Sequence, residues 1–106
     1  MSANAYTIEG LLAFMYDEVT KDAPDNWRQV LAIFEMTTLE GKNNVKAKYV
    51  ASIPDSIEVA SFQTSNLWGP INAALEIQEL ERSRGNELSV LTVRMNPDGK
   101  VSYSRK

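Results

Sequence analysis

Apolar residues recur along the first part of the chain at the spacing of a helix. Over residues 5–22 they stand at positions i, i+3, i+4, i+7, i+8 and i+11, which are Ile8, Leu11, Leu12, Met15, Tyr16 and Val19. This spacing places them on one stripe of an amphipathic helix. Asn4 or Thr7 can cap its start, and Ala23-Pro24 ends it, because a residue before proline resists the helical conformation.

A β-hairpin is predicted from residue 27 to residue 52. The first arm, 27–39, is rich in β-branched and aromatic residues, and the second arm, 45–52, alternates apolar and polar positions. Residues 40–44 suit a tight turn between them. One face of the first arm is wholly apolar, and we expect it to pack against helices; it consists of Val30, Ala32, Phe34 and Met36. The opposite face contains Leu31 and Ile33, which either meet a partner or lie on a partly wet sheet face.

A short strand, a second helix and a closing hairpin complete the predicted elements. Residues 57–63 alternate and are a candidate for a third strand at a sheet edge. A helix is predicted over 67–84, with Ser65 or Asn66 as its cap and Gly85 in a left-handed conformation after its last turn. Residues 88–95 and 101–105 form the last hairpin, around the turn sequence NPDG.

Two aromatic residues of the predicted helices each have two interpretations. Phe14 lies off the apolar stripe of the first helix and belongs either to a wide core face or to an exposed contact. Trp68, near the start of the second helix, is expected to anchor that helix to the sheet, and an exposed recognition residue is the alternative.

The elements follow the order α-β-β-(β)-α-β-β. We predict an antiparallel sheet of four to five strands with two helices packed on one of its faces, which is an α+β fold. The length of 106 residues suits a single domain covering 1–106.

Cysteine and histidine are both absent from the sequence. Their absence removes disulfides, thiolate zinc sites and the commonest general base and metal ligand. We therefore expect a protein that is not an enzyme and holds no cofactor or metal. No stretch is apolar enough for a membrane span, and the N-terminus lacks a signal-peptide pattern, so the default expectation is a cytoplasmic protein.

Charge is distributed unevenly along the chain, although the net charge is only −3. Residues 1–41 carry seven acidic and two basic residues, a net charge of −5, whereas residues 92–106 carry a net charge of +3. An acidic first half suits a basic partner better than a nucleic acid, and ordinary scatter of surface charge is the alternative. The densest acidic cluster is expected to be exposed and to titrate normally; it comprises Asp17, Glu18, Asp22 and Asp25.

Several short motifs occur in a characteristic order over nearly the whole chain. An N-terminal helix precedes PDNW, which leads into the long first strand, and the second strand runs into Ile53-Pro54. The helix NAALEIQELERSRG and the hairpin LSVLTVRMNPDGKVSYSR, with its D-G-K turn, follow. This layout resembles the YezG-like immunity proteins, or antitoxins, of bacteria. Those proteins are small partners of polymorphic toxins or of toxins delivered in contact-dependent growth inhibition.

The resemblance implies a protein that binds the C-terminal domain of a cognate toxin, commonly a nuclease, and covers its active site or substrate surface. A nuclease presents a basic groove, so we expect acidic residues in the contact, without direct binding to nucleic acid or membrane. The first hairpin, with its acidic loop, is the predicted display surface. The candidate partner-binding residues are Asp17, Glu18, Asp22, Asp25, Leu31, Ile33, Glu35, Glu40, Asp55 and Glu58. The alternative is a non-catalytic ligand-binding or regulatory α+β domain, including a homodimer through the Leu31 and Ile33 face.

Overall fold

A computed structural model of the chain describes residues 7–53 and 59–105. Within these ranges the elements are α1 (Ile8–Thr20), β1 (Gln29–Leu39), β2 (Lys42–Ser52), β3 (Val59–Phe62), α2 (Trp68–Ser83), β4 (Val90–Met95) and β5 (Val101–Arg105). Every strand pair is antiparallel, and the strands lie in the order β3-β2-β1-β4-β5. The predicted α+β class is confirmed, and the third strand is present at one edge of a five-stranded sheet.

Both helices cover the same face of the sheet. Val30, Ala32 and Phe34 of β1 have no exposed surface and belong to one core with the buried residues of the helices. The core residues from α1 are Ile8, Leu11, Leu12, Met15 and Val19, and those from α2 are Ala73, Ala74 and Ile77. Among the described residues no helix covers the opposite face of the sheet, and the next residues along β1, Leu31 and Ile33, remain half-buried there. We call this surface the open sheet face.

The first hairpin is tighter than the sequence indicated. Leu39 pairs directly with Lys42, so the turn contains only Glu40 and Gly41. Both turn residues have positive φ, 53° and 77°. Positive φ at both central residues gives a two-residue turn whose twist matches that of the flanking strands. The predicted turn over 40–44 is therefore wrong, and β2 starts at Lys42 rather than at residue 45.

Other boundaries differ by a few residues for local reasons. α1 starts after Thr7, whose Oγ1 accepts a hydrogen bond of 3.0 Å from the Gly10 N–H, as one of the two predicted caps. β1 starts at Gln29, two residues later than predicted. Trp27 does not join the ladder, since it packs edge-on against Tyr16 of α1, with ring centroids 6.5 Å apart. β4 likewise starts two residues late, at Val90.

A buried carboxyl group holds the C-terminal end of α2 against the sheet. Glu81 is 1% exposed and accepts hydrogen bonds from the Tyr103 hydroxyl of β5 (2.6 Å) and from Nδ2 of Asn86 (2.9 Å). Gly85 follows the last turn of α2 with φ +85°, and the N–H of Asn86 donates to the Glu81 carbonyl. This is the predicted glycine-terminated helix end.

In the described ranges, neither helix has the length and apolar character that crossing a membrane would require.

Candidate functional site

The predicted partner-binding residues are distributed over separate surfaces of the molecule. Asp17 and Glu18 lie on α1, and Asp22 and Asp25 follow it in the connection to β1. Leu31, Ile33 and Glu35 lie on the open sheet face, on the other side of the sheet from the helices. Glu40 is at the tip of the first hairpin. Asp55 and Glu58 lie outside the described residues. The acids of α1 and the hairpin face therefore cannot contact one flat partner surface together.

Two of the predicted contact acids instead link α1 to the start of α2. Oε1 of Glu18 accepts a hydrogen bond of 2.9 Å from the Asn66 side chain, and it also meets Lys21 Nζ at 3.0 Å. Oδ2 of Asp22 accepts from both the backbone N–H (2.8 Å) and the hydroxyl (3.0 Å) of Ser65.

These hydrogen bonds favour the ionised form of each carboxyl group. The hydrogen bonds from Asn66 and then from Lys21 lower the pKa of Glu18. The backbone and side-chain hydrogen bonds from Ser65 lower the pKa of Asp22. The expectation of normal titration is therefore wrong for Glu18 and Asp22.

Asn66 connects this link to the helix end. Its Oδ1 accepts a hydrogen bond of 2.9 Å from the N–H of Gly69, while its Nδ2 donates to Glu18. A side-chain oxygen that receives a first-turn N–H acts as a helix cap, and Asn66 was one of the two predicted caps. The contacts of Glu18 and Asp22 bring the end of α1 to the start of α2. The two neighbouring helices therefore run antiparallel.

A groove runs between the antiparallel helices on the outer side of the molecule. Its volume is about 720 Å³, and we call it the helix groove. The lining residues are Gly10, Leu11, Phe14, Gly69, Asn72, Ala73 and Glu76. Leu11 and Ala73 form its floor, because they are only 6% and 3% exposed, whereas Phe14 stands in its wall at 43% exposed. The structure thus places Phe14 in an exposed position, one of its two predicted alternatives.

The start of α2 adds two exposed apolar side chains beside Gly69. Trp68 is 65% exposed and Leu67 is 53% exposed. The expectation that Trp68 anchors α2 to the sheet is wrong, since Pro70, two residues later, is the buried residue of that turn. Sequence reasoning did not identify Leu67 or the groove. A usable signal was present in the glycines, because Gly10 and Gly69 each remove a side chain from a helical position.

The two sides of the sheet carry opposite charge. The helices hold six carboxyl groups, of which Glu81 is buried, and one basic side chain, Arg82, which pairs with Glu79. On the open sheet face, each β1 residue has one neighbour from β2 and one from β4. Leu31 lies between Val50 and Arg94. Ile33 lies between Lys48 and Thr92, and Glu35 lies between Lys46 and Val90. The strand positions around Leu31 and Ile33 thus contribute three basic side chains and one acidic one. The face predicted to display Glu35 with Leu31 and Ile33 is therefore mainly basic.

Metal-type clusters and the buried tyrosine Tyr49 are the groups in the described residues that bear on chemistry. Among these residues, no three His, Cys, Asp or Glu side chains lie together in a way that could hold a metal ion. Burial raises the pKa of Tyr49, whose hydroxyl lies beside Thr64 without meeting hydrogen-bond geometry. A raised pKa keeps this phenol protonated at neutral pH, which does not suit it to act as a base.

Comparison of the chain with models of protein families and with curated proteins finds no match. The groove, its exposed aromatic side chains and the separation of charge are therefore the observations on which a function can be argued.

Proposed function

We propose that the protein is an immunity protein of the kind it resembles, which binds the C-terminal domain of a cognate toxin in the bacterial cytoplasm and covers its active site or substrate surface. The observation that carries the proposal is the group of exposed apolar side chains, Phe14, Leu67 and Trp68, beside the carboxylates of the two helices. Tryptophan is among the residues that most often dominate the energy of a protein–protein contact. Such binding needs no catalytic group and no cofactor.

The charge of the helices supports a basic partner, such as a nuclease domain. Asp17 follows Phe14 by one helical turn, and Glu76 lies in the wall of the helix groove. Carboxylates around an apolar contact accelerate association with a basic surface and disfavour acidic competitors. The open sheet face, with Lys46, Lys48 and Arg94, suits such a partner poorly. We therefore assign the contact to the helices rather than to the first hairpin.

Growth rescue tests the proposal directly. The immunity function requires a neighbouring gene for a large secreted protein, and the C-terminal domain of that protein is expressed in bacteria with and without the chain. We expect growth arrest by the toxin domain alone and growth when both are expressed. Arrest in both cultures, with the two purified proteins failing to associate, would refute the immunity function.

Charge reversal tests which surface makes the contact. The triple variant Asp17→Lys, Glu76→Lys, Glu79→Lys leaves the links through Glu18 and Asp22 intact. Its association rate with the toxin domain should fall by about tenfold or more at low salt, because steering charges act mainly on the association rate. The matched control, Lys46→Glu with Lys48→Glu on the open sheet face, should not slow association. A slower rate only in the control would move the contact to the sheet.

A ligand-binding or regulatory domain that dimerises is the second candidate. The observation in its favour is the apolar centre of the open sheet face, where Val50 is buried and Leu31 and Ile33 are half-buried without a covering helix. Sedimentation equilibrium distinguishes the two functions. This candidate requires a dimer that Ile33→Lys converts to a monomer, whereas the immunity proposal requires no change in mass.

A further inference from the structure

The helix groove is a trough with a narrow apolar floor and open ends. Because the helices are antiparallel, Gly10 lies toward the end where α2 carries Glu76, and Gly69 lies toward the end where α1 carries Phe14. Glycine has no side chain, so neither position fills the space opposite Glu76 or Phe14. The space between the two helices therefore stays open above Leu11.

A side chain would not fit freely at either Gly10 or Gly69. A Cβ atom on Gly69 would come within 2.4 Å of Nδ2 of Asn66, and one on Gly10 would lie 3.2 Å from Oγ1 of Thr7. Both neighbours cap their helices. A side chain at Gly69 would therefore displace the Asn66 amide from its cap position, whereas one at Gly10 would need only a small shift of Thr7.

We propose that the helix groove receives one amphipathic, basic α-helix of the partner. An apolar side chain of that helix lies over Leu11 and Ala73, and a Lys or Arg side chain pairs with Glu76. This inference deepens the proposed function and rests on it, since it names the kind of segment that the toxin domain would present.

The chemistry of the walls selects a helix over an extended strand. A strand added to a surface needs free backbone N–H and C=O groups, and the middle of an α-helix offers none. A helix satisfies its own backbone hydrogen bonds and requires only an apolar floor and flanking charges. The groove provides this floor in Leu11 and Ala73.

The charges around the groove select a basic helix. Glu76 stands in the wall toward the Gly10 end, and Asp17 lies one turn beyond Phe14 toward the other end. Both ends of the trough therefore carry a carboxylate. An acidic helix would place like charges beside these groups and bind more weakly.

Peptide titration tests the groove independently of any toxin. The probe is an amphipathic helical peptide of leucine and lysine, and the control peptide has glutamate in place of every lysine. Each is added to the ¹⁵N-labelled full chain. We expect the amide signals of Gly10 and Gly69 to shift with the lysine peptide only. No shift, or shifts confined to the open sheet face at residues such as Ser102, would overturn the inference.

Filling the groove provides the matched variant. Asn72 is exposed in the wall, so Asn72→Phe should occupy the trough without disturbing the core. With its melting temperature unchanged, this variant should bind the lysine peptide at least about tenfold more weakly, because the added ring takes the space that the apolar side chain of the peptide needs. Unchanged peptide affinity would overturn the inference. If Asn72→Phe loses stability, Glu76→Gln serves instead, with a weakening of several-fold expected.

Growth rescue with the same variants separates this inference from the proposed function. If the unaltered chain does not rescue growth, the immunity function fails, while the peptide titration still decides the groove. If the unaltered chain rescues and a stable Asn72→Phe variant rescues equally well with the same affinity for the toxin domain, the immunity function stands and the groove inference fails. Loss of rescue only in the filled variant supports both.

Discussion

The hydrogen bond between Tyr103 and Glu81 gives a sharp test of what holds α2 in place. Glu81 is almost fully buried, and its two oxygens accept from different donors, Oε2 from the Tyr103 hydroxyl and Oε1 from Asn86. An ionised carboxylate accepts hydrogen bonds at both oxygens, and we predict that Glu81 carries this charge. Tyr103→Phe removes one donor and leaves the ring, so it isolates the hydroxyl.

Tyr16 provides a matched control for the same chemical change. Its hydroxyl also donates over 2.6 Å and is also half-buried, but its acceptor is the backbone carbonyl of Asn96 rather than a carboxylate. A hydrogen bond to a charged group contributes about 1.5–3 kcal/mol, and one between neutral groups about 0.5–1.5 kcal/mol. We therefore expect Tyr103→Phe to cost about 2 kcal/mol and Tyr16→Phe about 1 kcal/mol.

Urea unfolding and thermal unfolding of the three proteins measure the difference. For a chain of this length the expected costs correspond to a fall in Tm of about 9 °C for Tyr103→Phe and about 4 °C for Tyr16→Phe. Equal losses in the two variants would refute the argument that Tyr103 stabilises a buried charge. A loss for Tyr103→Phe smaller than that for Tyr16→Phe would do so even more clearly.

Three further predictions concern the contact surface, acid stability and the core. Trp68 exposes roughly 160 Å² of a side chain that buries up to about 250 Å² in a contact, so Trp68→Ala should weaken toxin binding by about 2–4 kcal/mol. Val59→Ala, which trims another exposed apolar side chain on the opposite face, should change the Kd little, and equal effects would contradict the assigned surface. The pKa of Asp22 lies below its ordinary value of 3.8, so its stabilising contribution is present at neutral pH and is lost as pH falls through the lowered folded-state pKa. Urea unfolding between about pH 5 and pH 2 should therefore show a shallower loss of stability for Asp22→Asn than for the unaltered chain, and parallel curves would speak against the Ser65 link. Ile77 is fully buried, so Ile77→Ala should cost about 2–5 kcal/mol in urea unfolding, against less than about 1 kcal/mol for truncation of the exposed Val59.

Several features of the site could be anticipated from local sequence. The stripe from Ile8 to Val19 is buried as its period requires, and Thr7, Asn66 and Gly85 act at the helix ends as their side chains and backbone preferences indicate. Each of these outcomes depends on residues within one or two turns of each other. Short-range steric and hydrogen-bonding preferences decide them, so they can be predicted without knowing the rest of the fold.

The functions of individual polar and aromatic side chains could not be anticipated in the same way. Glu18 and Asp22 appeared as free surface charges, but they bind Asn66 and Ser65, more than forty residues away. Trp68 appeared as an anchor but is exposed, because the burial of Pro70 orients the first turn of α2 differently. These outcomes depend on the approach of α1 to α2, which no local pattern specifies.

By itself, then, the sequence determined the helices, the strands, their order and the apolar face that each contributes to the core. Periodicity and cap chemistry are local properties, and the hydrophobic effect acts on them in a predictable direction. Only the tertiary structure decided which charges meet: it placed the carboxylates of the helices on one side of the sheet and Lys46, Lys48 and Arg94 on the other. Antiparallel packing of the two helices also opened the helix groove between Gly10 and Gly69. Surfaces of this kind arise from residues distant in sequence, and for that reason we propose the contact on the helices rather than on the first hairpin.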